Sequence, residues 1–180
     1  MSIKKEMAKF GIISDTHFTT NDKDRLYYNL LNQLEETFKD VDEIIHAGDV
    51  CESFFLEDLR KIAPVRCVEG ESDKIPGLEH FINFKVGQYT LGIIHKKPEN
   101  TEVFFKERNI NILIFGHTHQ PLIKGTPYNT LLINPGSPTK PLAPPPKKGF
   151  EKPLARPSVI TLKIDSDSIL STFLINLNLR

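Results

Sequence analysis

Ile110-Asn111-Ile112-Leu113-Ile114-Phe115-Gly116-His117-Thr118-His119 decides how the rest of the chain is read. Residues 110–115 form a short apolar run rich in β-branched side chains, which describes a buried strand, and the glycine closes it. Two imidazoles follow, one residue apart. On an extended segment residues i and i+2 share a face, so His117 and His119 are expected to converge on one point. A pair of surface loop histidines would spell the same letters. The two readings separate because other apolar runs in the chain end in the same way.

Toward the N-terminus, residues 81–86 and 89–94 are β-rich runs joined through Gly87-Gln88, a hairpin whose second arm ends at His95. Residues 65–68 form a short strand followed by Gly70-Glu71-Ser72-Asp73. Residues 42–47 carry Ile44 and Ile45 into His46-Ala47-Gly48-Asp49, and residues 9–14 end in Asp15-Thr16-His17. Between these strands lie helical patterns. Leu26, Leu30, Leu34 and Phe38 make one amphipathic stripe behind Asn21 or Asp22 as N-cap. Ser53 is expected to cap a short helix stopped by Pro64, and Asn100 or Thr101 to start a third.

Toward the C-terminus, residues 131–133 form a strand that stops at Asn134-Pro135-Gly136-Ser137. Residues 134–157 hold eight prolines with Lys140, Lys147, Lys148, Lys152 and Arg156 against the single acid Glu151, which excludes a regular helix or a central strand. The segment reads as an exposed polyproline-like loop, in preference to a functional basic lid. The chain closes with a terminal hairpin turning at residues 165–168. Strands alternating with helices place the whole in the α/β class.

Composition narrows the function classes. The 23 Lys and Arg balance the 23 Asp and Glu, so no net field draws the chain to nucleic acid or an anionic membrane. No apolar run approaches a membrane span, and no apolar segment follows the charged N-terminus. Cys51 and Cys67 lack a paired metal spacing and read as free thiols of a reducing compartment, so a cytoplasmic location is expected. With 180 residues, one domain over 1–180 is expected.

Five strand ends thus carry Asp15 and His17, Asp49, Glu71, His95, and His117 and His119. Ligands of α/β sheets bind outside the carboxyl ends of the strands. The mixture of imidazole and carboxylate suits Mn, Fe, Zn or Ni. Seven candidate ligands exceed what one tetrahedral ion with an open position uses, and they suit two. Two such ions about 3.5–4 Å apart, sharing a carboxylate, clamp a phosphoryl group and generate hydroxide from bound water.

In this order and on strand ends, Asp15-x-His17, Gly48-Asp49, Gly70-x-x-Asp73, His95 and Gly116-His117-Thr118-His119 resemble the calcineurin-like metallophosphoesterases. The small size and Asn134-Pro135-Gly136-Ser137 resemble the small single-domain phosphodiesterase branch, which also contains the retromer subunit of that fold. The resemblance implies a four-layer α/β/β/α sandwich of two mixed sheets flanked by helices. It implies that Asp15, His17, Asp49 and His119 hold a first divalent metal ion, and Asp49, Glu71, His95 and His117 a second, with Asp49 bridging. The nucleophile would be metal-bound hydroxide, with Mn²⁺ the expected ion and Ni²⁺, Fe²⁺ or Zn²⁺ the others. The expected substrate is a small phosphodiester or nucleotide.

Two departures from the family pattern stand out. Glu71 occupies the place of an asparagine, so Asp15, Asp49 and Glu71 leave two divalent ions with one net positive charge instead of two. Lys96 occupies the place of a frequent glycine; it restores that charge as a substrate contact if it points inward, and is a solvated lysine if it does not. Ser72 stands where larger members carry a histidine thought to protonate the leaving group. His46 reads as structural or supporting, and His80 as a surface residue.

Two function classes follow. One is a phosphodiesterase; the other is a catalytically relaxed metal-binding scaffold acting in protein–protein interaction, with Glu71 as the mark of relaxation. The terminal hairpin and apolar helix faces leave a homo-oligomer open. A β-lactamase-like site would need His-x-His-x-Asp-His, but Gln120-Pro121-Leu122 follow His119. An amidohydrolase barrel needs about 250 residues.

Overall fold

The computed structural model describes residues 7–179. Ten strands form two mixed sheets of five. The first has the order β10-β9-β1-β2-β3, where β1 is Ala8–Ile13, β2 Glu43–His46, β3 Val65–Cys67, β9 Ser158–Ile164 and β10 Leu170–Asn176. The second has the order β4-β5-β6-β8-β7, with β4 Phe81–Val86, β5 Tyr89–Ile94, β6 Ile112–Ile114, β7 Pro121–Gly125 and β8 Leu131–Pro135. β1, β2 and β3 run parallel, as do β5, β6 and β8, while β9, β10, β4 and β7 supply the antiparallel pairs.

Alternation along the strands sorts the apolar side chains into layers. Phe10, Ile12, Ile45, Ile93, Ile112, Ile114, Ile133 and Leu162 meet between the sheets. Ile13, Ile44 and Val159 face outward and bury the stripe of α1 (Arg25–Phe38), namely Tyr27, Leu30, Leu34 and Phe38, together with Phe55, Leu56 and Leu59 of α2 (Ser53–Leu59). On the far side, Leu113, Phe115 and Leu132 pack on Phe105 of α3 (Thr101–Arg108). The four-layer α/β/β/α sandwich expected from the sequence is therefore the one observed. Each fully buried side chain of the α1 stripe contributes about 2 kcal/mol, enough to hold the helix on its sheet.

Local details differ from the sequence reading. α1 begins after a 3-10 turn, Thr20–Asp22, and Asp24 is its cap, accepting from the Tyr27 amide at 3.1 Å. Asp22 instead accepts from Thr19, which closes the preceding turn. Glu52, not Ser53, occupies the cap position of α2; Ser53 is its first helical residue and donates to Glu57. β7 was not expected: its Pro121, Lys124 and Gly125 carry little strand propensity, and pairing with β8 supplies what propensity does not. Pro121 opens that edge strand, where a missing amide costs least. Both cysteines are free, Cys67 buried and Cys51 half-buried. Among the described residues no helix is long and apolar enough to cross a membrane.

Candidate metal centre

The carboxyl ends of β1, β2, β5 and β6, with the loop after β3, bring all seven predicted ligands to one end of the sandwich. Five of them, Asp15, His17, Asp49, His117 and His119, adopt left-handed φ of 55°, 49°, 57°, 67° and 56°. Such residues cost about 1 kcal/mol or more apiece and persist only where their surroundings over-determine them. Long-range hydrogen bonds do this here. Asp15 N donates to Gly48 O and His17 N to Asp49 O, each at 3.0 Å, which clasps the β1 and β2 loops together. Both Asp15 oxygens accept from His117 N at 3.1 Å.

Residues outside the predicted set carry much of this scaffolding. Asp73 accepts from the amides of Asp49, Cys51 and Gly70 at 3.0, 2.7 and 2.7 Å. Asn134 Nδ2 donates to Gly116 O and Thr118 Oγ1, and its Oδ1 accepts from Gly136 N, so β8 fixes the turn that bears both histidines. Ser137 donates to Asp15 O at 2.7 Å, and Thr139 to Thr16 O at 3.0 Å. The strings Gly70-x-x-Asp73 and Asn134-Pro135-Gly136-Ser137 were legible; their partners, far away in sequence, were not. Gly116 is required by close approach, since a Cβ there would collide with Ser14 Oγ and Asp15 Oδ2, and a Cβ on Gly70 would collide with Asp49.

The expectation that His117 and His119 converge on one point is corrected. Positive φ at both replaces the extended geometry, and the turn sends them to different clusters. His119 Nε2 lies 3.3 Å from Asp15 Oδ1 and 3.2 Å from His17 Nε2. His117 Nδ1 lies 2.8 Å from Glu71 Oε2, which is 4.0 Å from His95 Nε2. Asp49 stands between, its Oδ2 3.6 Å from His17 Nε2 and 3.5 Å from His95 Nε2. Lys96 is mostly exposed, and its Nζ sits 4.0 Å from Glu71 Oε1 at the rim. His46 is fully buried and pairs with Thr16 at 3.1 Å, and His80 is a surface residue 3.0 Å from Glu69.

The donor chemistry fits metal ions. A carbonyl can only accept, so His95 Nδ1–H donates to Ala47 O at 2.7 Å and His119 Nδ1–H to Lys140 O at 2.8 Å, which turns both Nε2 atoms into the site. His95 Nε2 is buried without a hydrogen-bond partner, 3.5 Å from Asp49 Oδ2, and a cation would satisfy it in exchange for its proton. Electrostatics agree. Burial works against the charge of Asp49, but His95, the Ser72 amide and His17 outweigh it and hold the carboxyl below its usual range. Burial also opposes charge on His95, yet Asp49, the Ala47 carbonyl and Asp15 push that imidazole up to about 9. Asp15, fully buried, is raised by its burial, with Ser14, His95 and His119 pulling the other way. His17 is lowered, first by burial and then by the charge of Lys140.

Residues 8–165 match the calcineurin-like phosphoesterase superfamily domain. The chain belongs to that superfamily. A probable metallophosphoesterase of Methanothermobacter thermautotrophicus is 32% identical over 167 residues, 88% of this chain and 87% of the relative. The fold is similar to that of Vps29 from Entamoeba histolytica complexed with Zn²⁺, at a TM-score of 0.69 and 22% identity, covering 94% of this chain and 99% of that one. It is also similar to an archaeal phosphodiesterase, at a TM-score of 0.66 and 21% identity over 93% of this chain and 99% of that one. The family uses divalent metals, and its chemistry implies a small phosphate-ester substrate.

Proposed function

We propose that this protein is a metal-dependent phosphodiesterase that hydrolyses a small phosphodiester or nucleotide at a two-ion centre. In this reading Asp15, His17, Asp49 and His119 hold one divalent ion, and Asp49, Glu71, His95 and His117 the other, with Mn²⁺ the favoured metal. The observation that carries it is the position of Asp49, whose single Oδ2 lies 3.6 Å from His17 and 3.5 Å from His95, between two clusters that each present a carboxylate and two imidazoles. When bound, such an ion pair neutralises phosphoryl charge and makes hydroxide available from water at neutral pH for in-line attack on phosphorus.

The chain's own residues prepare that chemistry. Ser72 N donates to Asp49 Oδ1 at 2.8 Å, which pins one carboxylate oxygen and leaves the other to face both clusters. Ala47 O and Lys140 O fix the tautomers of His95 and His119. Position 72 offers a backbone amide and a short hydroxyl in place of an imidazole, so no proton for a departing alkoxide comes from there. The protein therefore favours esters with good leaving groups, and aryl diesters are turned over faster than alkyl ones. Vps29 among the structural neighbours, with the exposed Glu71, favours a second reading as a metal-binding scaffold acting in protein–protein interaction.

Hydrolysis of bis-p-nitrophenyl phosphate by metal-stripped protein, before and after addition of Mn²⁺, separates the two. A metal-dependent rate abolished by chelator is expected. Two ions bound per chain with no hydrolysis would overturn the enzyme reading in favour of the scaffold.

A further inference from the structure

The proline-rich segment divides into two parts that the sequence does not distinguish. Residues 143–157 form no helix or strand. Residues 134–142, by contrast, are stitched across the Asp15/His17/His119 cluster. Ser137 and Thr139 hold the carbonyls of Asp15 and Thr16; Lys140 N donates to Ser137 Oγ at 2.9 Å; Lys140 O accepts from His119 Nδ1; and Leu142 N donates to His119 O at 3.1 Å. Lys140 is thus gripped by its backbone on both sides of a ligand histidine while its side chain is exposed.

The bond from His119 Nδ1 to Lys140 O at 2.8 Å sets this lysine beside the Asp15/His17/His119 cluster. Among the described residues no carboxylate lies within ion-pair distance of Lys140, whereas Lys96 sits 4.0 Å from Glu71. The two lysines at the rim therefore differ. Lys96 offsets the carboxylate that replaces the family's asparagine, and Lys140 has an ammonium to offer an incoming anion.

We propose that Lys140 is the phosphate-binding cation of the site, its ammonium receiving a non-bridging oxygen of the ester on the Asp15/His17/His119 side. This inference rests on the phosphodiesterase reading for its substrate, but not for its test. No bond to phosphorus is made or broken by Lys140. It adds a charge-assisted hydrogen bond and part of the positive field that Glu71 removes.

The test is calorimetric binding of inorganic phosphate to Mn²⁺-loaded protein, with metal content measured in parallel, for wild type, Lys140→Met, Lys140→Arg and the charge-matched control Lys147→Met. Phosphate affinity is expected to fall about tenfold in Lys140→Met, the low end for a charge-assisted hydrogen bond. Metal content should stay unchanged, Lys140→Arg should recover most of the loss, and Lys147→Met should match wild type. With a diester substrate the same loss should appear in KM more than in kcat. Equal phosphate affinity in Lys140→Met and wild type would overturn the inference. So would loss of metal in Lys140→Met, which would make the side chain a support of the ligands, or wild type that binds no phosphate. Wild type that binds phosphate but hydrolyses no diester would overturn the phosphodiesterase reading alone, leaving the affinity comparison at Lys140 to be decided on its own result.

Discussion

The Asp15/His17/His119 cluster and the Glu71/His95/His117 cluster each present a carboxylate and two imidazoles but are held very differently. In the first, the carboxylate is fully buried and accepts from the His117 amide, and the residues 137–142 strap fixes the loop on one side and His119 on the other. In the second, the Glu71 side chain is 59% exposed, reaches the site on a long flexible stem and faces Lys96 at the rim. Protonation differs too. His17 is lowered and so is ready to ligate, whereas His95 is raised to about 9 and must release a proton first. One half is held in place by the protein alone, and the other is only loosely held. We therefore expect the first ion to bind tightly and the second to exchange.

Asp49→Asn should have the largest effect, because that carboxylate is the part the two halves share. Hydrolysis of bis-p-nitrophenyl phosphate should fall to background and metal content should drop in both halves; retention of normal activity would break the two-ion assignment. Next comes pH. Between pH 9 and 7 the metal-free protein keeps a proton on His95 that must leave as the site fills, so overall Mn²⁺ affinity should fall by about tenfold per unit as pH is lowered and level off above pH 9. Titration with Mn²⁺ at several pH values should show this slope in the total binding free energy; an affinity independent of pH would erase the contrast in protonation.

Glu71→Asn removes a negative charge from the looser half. Because the group is exposed and screened, kcat/KM for an aryl diester should rise only about two- to fivefold. A fall would identify Glu71 as the better ligand and outweigh the charge argument. The smallest effect is expected from Ser137→Ala, which loosens the strap on the firm half. Stability by urea unfolding should drop by about 2 kcal/mol, the worth of the two bonds the buried hydroxyl makes with Asp15 O and Lys140 N, with both ions still bound.

Much of this is legible in the sequence alone. Apolar runs that stop abruptly at Asp-x-His, Gly-Asp or Gly-His-x-His announce buried strands with polar ends, and nine of the ten strands follow from such runs or from plain alternation. β7 did not, because Pro121, Lys124 and Gly125 satisfy no strand pattern and the pairing with β8 alone makes them one. Helix starts moved for a related reason. Asn21, Asp22 and Asp24 all suit a cap by type, and the choice fell to Asp24 once Thr19 closed its own turn on Asp22.

By itself, the sequence determined the ligand types, their order along the chain and the strand ends that carry them, since those depend on local pattern and side-chain chemistry. The division of these residues between two clusters, which the family resemblance implied, has its physical cause only in the tertiary structure. His117 and His119 part company because each sits at positive φ in a turn whose shape is set by Asp15, 102 positions away from His117, and by Asn134. Likewise, Lys96 and Lys140 are both lysines beside candidate ligands in sequence or space, and letters do not rank them. A carboxylate 4.0 Å from one and a strap around the other do, because charge acts through distance in space, not along the chain.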